Sequence, residues 1–255
     1  MSVDYSRAAK YAIYCQEVYQ NFSSIRFAGL TQQPVLIDRQ STDTQCAILP
    51  EGTGITIVFR GSESSFDWDT NFATQQERAE FDRRIIQGEI VAAEDKEKVY
   101  PYESGSSSNA LMHRGFVAAY FSVRDEIHTY IENNPISAAV VTGHSLGGAL
   151  ATLCAVDIQY NFSNKLQSIE AFTYGSPKVG NAGFRDSFNR RVPNSYRFVH
   201  GMDIVPELPR WWQGGYQHVD REFRIGRRFS LNFLSSRYKD HAIARYIEVL
   251  KSMAG

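Results

Sequence analysis

One serine lies in a spacing that is typical of a catalytic nucleophile. Ser145 stands between Gly143 and Gly147, which gives the pattern G-x-S-x-G. An apolar run precedes it and a helical apolar pattern follows, so the serine is predicted on a sharp turn between a strand and a helix. Such a turn strains the serine backbone and leaves no room for neighbouring side chains, which explains the two glycines. The pattern predicts acyl transfer on Ser145; the alternative is a serine in an ordinary glycine-rich turn.

A nucleophilic serine needs a histidine base, because a serine alkoxide is inaccessible near neutral pH. On this kind of turn the acid and then the histidine follow the serine along the chain. Three histidines remain: His200, His218 and His241. His200 precedes nearly every suitable acid, and His218 falls within a predicted edge strand. His241 lies in a loop just before the last predicted helix, and we predict that it is the base.

The base needs a carboxylate that fixes its tautomer and stabilises its charged form. Asp157 and Asp186 fall in predicted helices, and Asp220 falls in the predicted edge strand. Asp203 follows a strand directly, so its carboxylate can meet a histidine of the next segment, and we predict that it is the acid. Asp240 is the rival because it adjoins the histidine, but its expected role is to cap a helix.

The oxyanion of the tetrahedral intermediate needs at least two fixed donors. The backbone N–H of Leu146, directly after the nucleophile, is the first predicted donor. Ser62 is the second, because it follows a glycine turn at the end of a buried strand and can offer both its N–H and its hydroxyl; the alternative is a turn serine. His144 is expected to form hydrogen bonds beneath the turn and to do no chemistry.

Alternating strands and helices must position these residues. Through the second half of the chain the alternation predicts an α/β fold, with a mostly parallel central sheet and helices on both faces. In such sheets, sites form outside the carboxyl ends of the strands. Besides the helix after the serine, the predicted helices span residues 4–22, 115–133, 182–191 and 241–250, and the predicted strands span 35–37, 46–48, 55–59, 139–141, 169–173, 196–199 and 217–225.

The composition is that of an ordinary globular chain: of 255 residues, 43% are hydrophobic and 22% are charged. A net charge of -1 argues against nucleic-acid binding. No apolar run approaches ~18 residues, and the first residues lack the apolar core of a secretory signal. We therefore expect a cytoplasmic protein, or one secreted without a visible signal. Cys154 is expected in the core, and a disulfide between Cys15 and Cys46 is possible.

A polar insertion interrupts the pattern at about residues 63–110. Phe66 and Trp68 lie near its start, a densely charged stretch follows, and its end is rich in serine. A solvated helix or hairpin with a flexible loop is the simpler interpretation. The alternative is a mobile cover, or lid, over the site.

Six short motifs follow one another in an order that resembles one family. They are V-F-R-G-S at 58–62, H-R-G-F at 113–116, G-H-S-L-G-G at 143–148, F-T-Y-G-S-P at 172–177, D-I-V-P-E-L-P at 203–209 and D-H at 240–241. Together they resemble the class 3 lipases, the fungal-type triacylglycerol lipases of the α/β-hydrolase superfamily. The resemblance covers roughly residues 55–250. Secreted fungal members have signal peptides, disulfides and a short helical lid, whereas this chain has the long charged insertion.

The resemblance implies a single α/β-hydrolase domain over residues 1–255. Ser145, Asp203 and His241 would form the triad, and Ser62 with Leu146 the oxyanion hole. The other candidate substrate-binding residues are Phe66, Trp68, Ile204, Val205, Leu208, Trp211 and Trp212. The tryptophan pair suits an acyl groove or a lipid interface, and the alternative for it is core packing.

An acylglycerol lipase is the predicted function, with no metal or organic cofactor. The expected partners are a lipid or other ester substrate and, transiently, a lipid interface. An sn-1 phospholipase and a soluble carboxylesterase are alternatives within the same chemistry, and an acyltransferase would differ only in its acceptor. A catalytically silent lipid-binding module is the alternative of another class, and the presence of all triad candidates speaks against it. The oligomeric state stays open.

Overall fold

The computed structural model describes residues 3–61, 110–209, 215–219, 221–227 and 239–255. Strands and α-helices alternate through the second half of this part of the chain, as predicted. The strands are β1 (Val35–Arg39), β2 (Thr44–Glu51), β3 (Gly54–Phe59), β4 (Ala138–His144), β5 (Ser168–Tyr174), β6 (Gly180–Asn181), β7 (Ser195–His200), β8 (Tyr216–Gln217) and β9 (Glu222–Ile225). The helices are α1 (Tyr5–Glu17), α2 (Arg114–Asn133), α3 (Leu146–Phe162), α4 (Ala182–Arg191) and α5 (Ile243–Met253).

Seven strands form the central sheet in the order β1-β2-β3-β4-β5-β7-β9. The two pairings at the β1 edge are antiparallel. The four pairings from β3 to β9 are parallel. The carboxyl ends of β3, β4, β5 and β7 therefore meet at one edge, and this confirms the predicted, mostly parallel sheet.

The two faces of the sheet carry separate hydrophobic cores. Helices α2 and α3 cover one face, where Phe59 and Tyr120 belong to the buried cluster. Helices α1 and α5 cover the other face, where Tyr14, Val58 and Tyr246 belong to the second cluster. Alternate residues of β3 enter opposite clusters, as the pleat of a strand requires.

Polar side chains cap the first turns of three helices: Asp4 at α1, His113 at α2 and Asn181 at α4. Asp4 accepts a hydrogen bond from the N–H of Arg7 at the start of α1, at 3.0 Å. His113 accepts one from the N–H of Phe116 at the start of α2, at 3.2 Å. Each bond satisfies one of the N–H groups that a first helical turn leaves without a partner.

The structure excludes the disulfide that the sequence left possible. Cys15, Cys46 and Cys154 are all free and buried. Cys15 belongs to the core on the α1 face, whereas Cys46 belongs to the core on the α2 face. The sheet separates the two thiols, so they cannot join. Cys154 lies in the core, as predicted.

The edge strand predicted over residues 217–225 is divided. Tyr216–Gln217 pairs with Gly180–Asn181 in a separate two-stranded sheet. Only Glu222–Ile225 joins the central sheet, parallel to β7. The backbone of Arg221 lies in the left-handed region at φ 49°, which breaks an extended run.

Candidate active site

The predicted nucleophile, acid and base all lie at the carboxyl edge of the parallel strands. Ser145 follows β4, and Asp203 follows β7 by three residues. His241 precedes α5, in the position predicted for it. All three are buried. Because the strand ends are paired side by side, segments far apart in the sequence come together here.

Ser145 occupies the strained turn that the sequence predicts. Its backbone has φ 57° and ψ -129°, and its N–H donates to the carbonyl of Tyr174 at 2.9 Å. A β-carbon at Gly143 would overlap the carbonyl of Gly147, and one at Gly147 would overlap the carbonyl of Phe59. Only glycine fits at either position. The Ser145 hydroxyl has no hydrogen-bond partner in the part of the chain that the structure describes.

His241 and Asp203 form a buried pair. Nδ1 of His241 donates to Oδ2 of Asp203 at 2.8 Å, and both side chains are 0% exposed. A proton on Nδ1 leaves the lone pair of the neutral imidazole on Nε2, which is the arrangement that a general base needs.

Two further donors hold the Asp203 carboxylate. The backbone N–H of Val205 donates to Oδ1 at 2.9 Å, and the hydroxyl of Tyr246 donates to Oδ2 at 2.5 Å. Burial and the nearby Asp203 raise the pKa of Tyr246 well above its ordinary value, so the phenol keeps its proton and remains a donor. The sequence identified Tyr246 only as an apolar position of the last helix. Its place on the buried face of α5 carried no signal for this contact.

A glycine lies directly against this pair. Gly175 follows β5 and has φ 57°. A β-carbon there would lie 2.6 Å from Oδ2 of Asp203 and 2.9 Å from Nδ1 of His241. The residue is part of a quoted motif, but its role was not predicted.

His144 forms hydrogen bonds on both sides of its ring, as predicted. Nε2 lies 2.7 Å from the carbonyl of His241, and Nδ1 lies 3.1 Å from the hydroxyl of Tyr19. The rings of His144 and His241 are 4.5 Å apart at 33°. Burial, and then the neighbouring His241, lower the pKa of His144 well below its ordinary value, so this ring is neutral.

Of the two predicted oxyanion donors, Leu146 lies among the residues that the structure describes. Leu146 is the first residue of α3, so its N–H belongs to the first turn and has no carbonyl of the helix to bind. The positive end of the helix dipole lies at the same place. Outside the described residues lie the other oxyanion candidate and four substrate-binding candidates: Ser62, Phe66, Trp68, Trp211 and Trp212.

The remaining substrate-binding candidates lie in or next to a short 3-10 helix, Val205–Glu207, which follows the acid. Val205 and Leu208 are buried, and Ile204 is partly buried. Two side chains donate hydrogen bonds to the carbonyls of this segment. The side chain of Lys178 donates to the carbonyl of Pro209 at 3.0 Å, and Nε2 of His218 donates to the carbonyl of Pro206 at 2.5 Å.

The structure corrects two roles expected near the acid. His218 lies between β8 and β9 and not within a strand. The prediction that placed it in an edge strand, and so argued against it as the base, is wrong on that point. Asp240 does not cap α5, whose N-cap is Ala242 with no side-chain bond. Instead, Oδ2 of Asp240 accepts from the N–H of Met202 at 2.8 Å. It therefore holds the loop that carries Asp203.

The described ranges contain neither a metal-binding cluster nor a membrane-spanning helix. Within them, no group of three or more His, Cys, Asp or Glu side chains is arranged to hold a metal ion. Among the helices described, none is long and apolar enough to cross a bilayer.

Known proteins resemble this chain in sequence and in fold. The family described as lipase (class 3) matches residues 56–212. A lipase of Caenorhabditis elegans is 51% identical over 69 residues, which are 27% of this chain and 20% of that protein. The secreted mono- and diacylglycerol lipase A of Penicillium cyclopium is 30% identical over 213 residues, which are 80% of this chain and 59% of that protein.

A solved triacylglycerol lipase, described as having a serine-protease triad at its catalytic centre, is similar throughout the fold. It has a TM-score of 0.64 and 26% identity, over 86% of this chain and 79% of the other. This similarity confirms the predicted α/β-hydrolase fold. The chain spans about a fifth of the length of the Caenorhabditis relative and about three fifths of the length of the Penicillium relative.

Proposed function

Because the chain belongs to the class 3 lipase family, we propose that it is a serine ester hydrolase that cleaves acylglycerols through an acyl-enzyme on Ser145. The observation that carries this proposal is the buried bond from His241 to Asp203 at the strand edge that also presents Ser145. A structural histidine–aspartate pair has no need of a strained serine turn beside it. Storing strain at such a turn is typical of a functional site.

The reaction proposed has two halves. The hydroxyl oxygen of Ser145 attacks the ester carbonyl carbon while Nε2 of His241 takes the hydroxyl proton. The tetrahedral intermediate then expels the alcohol, which receives that proton, and the acyl group stays on the serine. In the second half a water oxygen attacks the acyl carbon while Nε2 takes a proton from that water. The bond between the acyl carbon and the serine oxygen then breaks, the serine oxygen receives the proton from Nε2, and the fatty acid leaves. Asp203 stabilises the imidazolium in both halves and holds its ring in one tautomer.

The oxyanion is proposed to bind the N–H of Leu146 and the N–H and hydroxyl of Ser62. The first is supported by its place at the start of α3. The second is supported by its position in the sequence, directly after Gly61 and three residues after the last residue of β3. A single hydrolase domain over residues 1–255, with the polar insertion as a possible lid, is proposed with them.

The proposed substrates are acylglycerols. The matched Penicillium relative is called a mono- and diacylglycerol lipase, and the matched structure is called a triacylglycerol lipase. The acyl chain is proposed to lie along the segment of Ile204, Val205 and Leu208. Phe66, Trp68, Trp211 and Trp212 are proposed to contact the acyl chain or a lipid interface.

A substrate panel tests this proposal. The purified chain is assayed with p-nitrophenyl esters of increasing chain length, with emulsified mono-, di- and triacylglycerols, and with phosphatidylcholine vesicles. We expect release of fatty acid from acylglycerols, and its loss in Ser145→Ala. Ser187→Ala, which changes a buried serine of α4, is the matched control. Release only from phosphatidylcholine would favour the phospholipase, release only from short esters the carboxylesterase, and a folded chain inactive on every substrate the silent binding module.

The cell compartment is part of the same question. The Penicillium relative is called secreted. For this chain we propose a location in the cytoplasm or outside the cell. Fractionation of cells and medium, followed by detection of the intact chain, distinguishes them.

A further inference from the structure

Tyr19 reaches the candidate active site from outside the motifs of the family. It lies in the turn after α1, is buried, and its hydroxyl is 3.1 Å from Nδ1 of His144. The predicted triad was located without any residue of the first 60. The contact therefore raises the question of what an N-terminal phenol contributes there.

The direction of each hydrogen bond follows from the chemistry of the partners. Nε2 of His144 faces the carbonyl of His241 at 2.7 Å, and a carbonyl only accepts, so Nε2 carries the proton. The ring is neutral because burial lowers its pKa, so Nδ1 holds a lone pair. Tyr19 must then donate its hydroxyl proton to Nδ1. The two bonds run in one direction, from Tyr19 through the imidazole to the backbone of His241.

Tyr19 also contacts the end of β3. A β-carbon added to Gly61 would overlap the Tyr19 hydroxyl, and it would lie 2.9 Å from the carbonyl of His144. The phenol therefore fills the space that this glycine leaves open, directly before Ser62 in the sequence. Tyr19 therefore lies against Gly61, the residue before the proposed oxyanion donor Ser62. It also bonds His144, the residue before the nucleophile, and through His144 it acts on the base, His241.

We propose that Tyr19 is a positioning residue, whose hydroxyl fixes His144 in the Nε2–H tautomer and thereby holds the backbone of His241 in its catalytic position. The proposal rests on the proposed function of Ser145 and His241. Without the phenol proton, the Nδ1–H tautomer of His144 becomes available. That tautomer turns a lone pair towards the His241 carbonyl and removes the bond.

Tyr14, which lies in α1 five residues before Tyr19, provides a matched control. Its hydroxyl donates to Oε1 of Glu51 at 3.0 Å, and its ring is buried. Glu51 ends β2 and is paired with Gly54, so this contact lies at the opposite edge of the sheet from Ser145. Tyr14→Phe and Tyr19→Phe each remove a hydrogen bond made by the hydroxyl of a buried tyrosine, but only the second changes a contact to His144.

The first test compares ester turnover in these two variants of the full chain. We expect Tyr19→Phe to lower kcat about tenfold, with KM within about twofold of the parent, because a positioning bond is lost and no substrate contact changes. Tyr14→Phe should keep kcat within about twofold of the parent. The proposal is overturned if Tyr19→Phe keeps the parent kcat, or if both variants lose kcat alike.

The second test needs no turnover. Ring-¹⁵N-histidine spectra report the tautomer of His144, whose signals are assigned by their absence in His144→Asn. We expect a protonated Nε2 and a hydrogen-bonded Nδ1 in the parent and in Tyr14→Phe, and the loss of that Nδ1 bond in Tyr19→Phe. Unchanged ring signals in Tyr19→Phe would overturn the proposal. A parent that hydrolyses no ester would instead remove the proposed function, and these spectra would still decide whether Tyr19 sets the tautomer.

Discussion

Nδ1 of His241 donates to Oδ2 of Asp203 across 2.8 Å, between two side chains that are 0% exposed. Water does not compete for this bond, so the histidine tautomer is set by the protein alone. The same carboxylate accepts from the hydroxyl of Tyr246 and from the N–H of Val205, which fixes both of its oxygens. The pair is therefore held before any substrate arrives, and preorganisation of this kind lowers the cost of reaching a transition state.

The first prediction separates the two acids that the sequence offered. Asp203→Asn should lower kcat by about three to four orders of magnitude, because an amide can donate to Nδ1 and select the wrong histidine tautomer. Asp240→Asn should lower it less than about tenfold, because an asparagine oxygen can still accept from the N–H of Met202. Ester turnover and thermal unfolding of both variants check this. A larger loss in Asp240→Asn would reverse the assignment.

The second prediction concerns Tyr246, whose hydroxyl donates to the carboxylate of Asp203. Tyr246→Phe should lower kcat about tenfold and the free energy of unfolding by about 2 kcal/mol, because a charged acceptor loses a buried donor. Tyr120→Phe is the control, since the Tyr120 hydroxyl donates to the buried carboxylate of Asp157 at 2.7 Å on the other face of the sheet. It should cost similar stability and leave kcat near that of the parent. Equal losses of kcat in the two variants would count against a role for Tyr246 in positioning Asp203.

The third prediction separates steric from backbone effects at a glycine. Gly175→Ala should lower kcat at least about a hundredfold, because the new methyl would displace Asp203 and His241 by a large part of an ångström. Gly52→Ala shares a positive φ, 64° against 57°, but has nothing within 4 Å of the new methyl. It should cost only about 1 kcal/mol of stability and no activity. Full activity in Gly175→Ala would show that the pair tolerates movement.

A second buried acid, Asp157, ties α2 to α3 without touching the site. Its carboxylate accepts from Tyr120 at 2.7 Å, from Arg124 at 3.1 Å and from His128 at 2.5 Å. Burial alone would raise the pKa of Asp157. The bonds and charges of these partners outweigh burial, and the pKa lies below its ordinary value of 3.8.

The fourth prediction follows from the sign of that shift. A carboxyl whose pKa is lowered by folding stabilises the protein above its unfolded value, and this contribution is lost as the pH falls through the folded value. The contribution of Asp157 to the free energy of unfolding should therefore be kept above about pH 4 and lost as the pH falls below it. Asp157→Asn should cost about 3 kcal/mol at pH 7 and show a shallower fall in acid. Urea unfolding at pH values from 7 down into this acid range, with the exposed Asp38→Asn as control, checks it; an unchanged slope in Asp157→Asn would contradict the assignment.

The nucleophile, its strained turn and the helix after it could be read from the sequence because all of their determinants are local. The glycines beside Ser145 exclude side chains from a turn of a few residues, and the flanking apolar patterns have unmistakable periods. The order of Asp203 and His241 followed from the topology of a parallel sheet, which brings successive strand ends to one edge.

The contacts that depend on packing across a face of the sheet could not be predicted. Tyr246 lies among the apolar positions of α5, and Tyr19 among those of the helix predicted over residues 4–22. A helical pattern does not tell which phenol will meet a carboxylate or an imidazole. For the same reason Cys15 and Cys46 gave no sign that the sheet lies between them. The alternation of residues 217–225 continues through Arg221, where the backbone turns and the strand stops.

The most direct test of the account is to trap the acyl-enzyme. The full chain is mixed with a p-nitrophenyl ester, quenched in acid within the first turnover, digested and analysed by mass spectrometry. A fluorophosphonate-treated sample is processed in parallel, with Ser145→Ala as the control. The account predicts that both the acyl group and the phosphonyl group are found on Ser145, and that neither is found in Ser145→Ala. Turnover with the acyl group on another residue, or with equal labelling in Ser145→Ala, would contradict it.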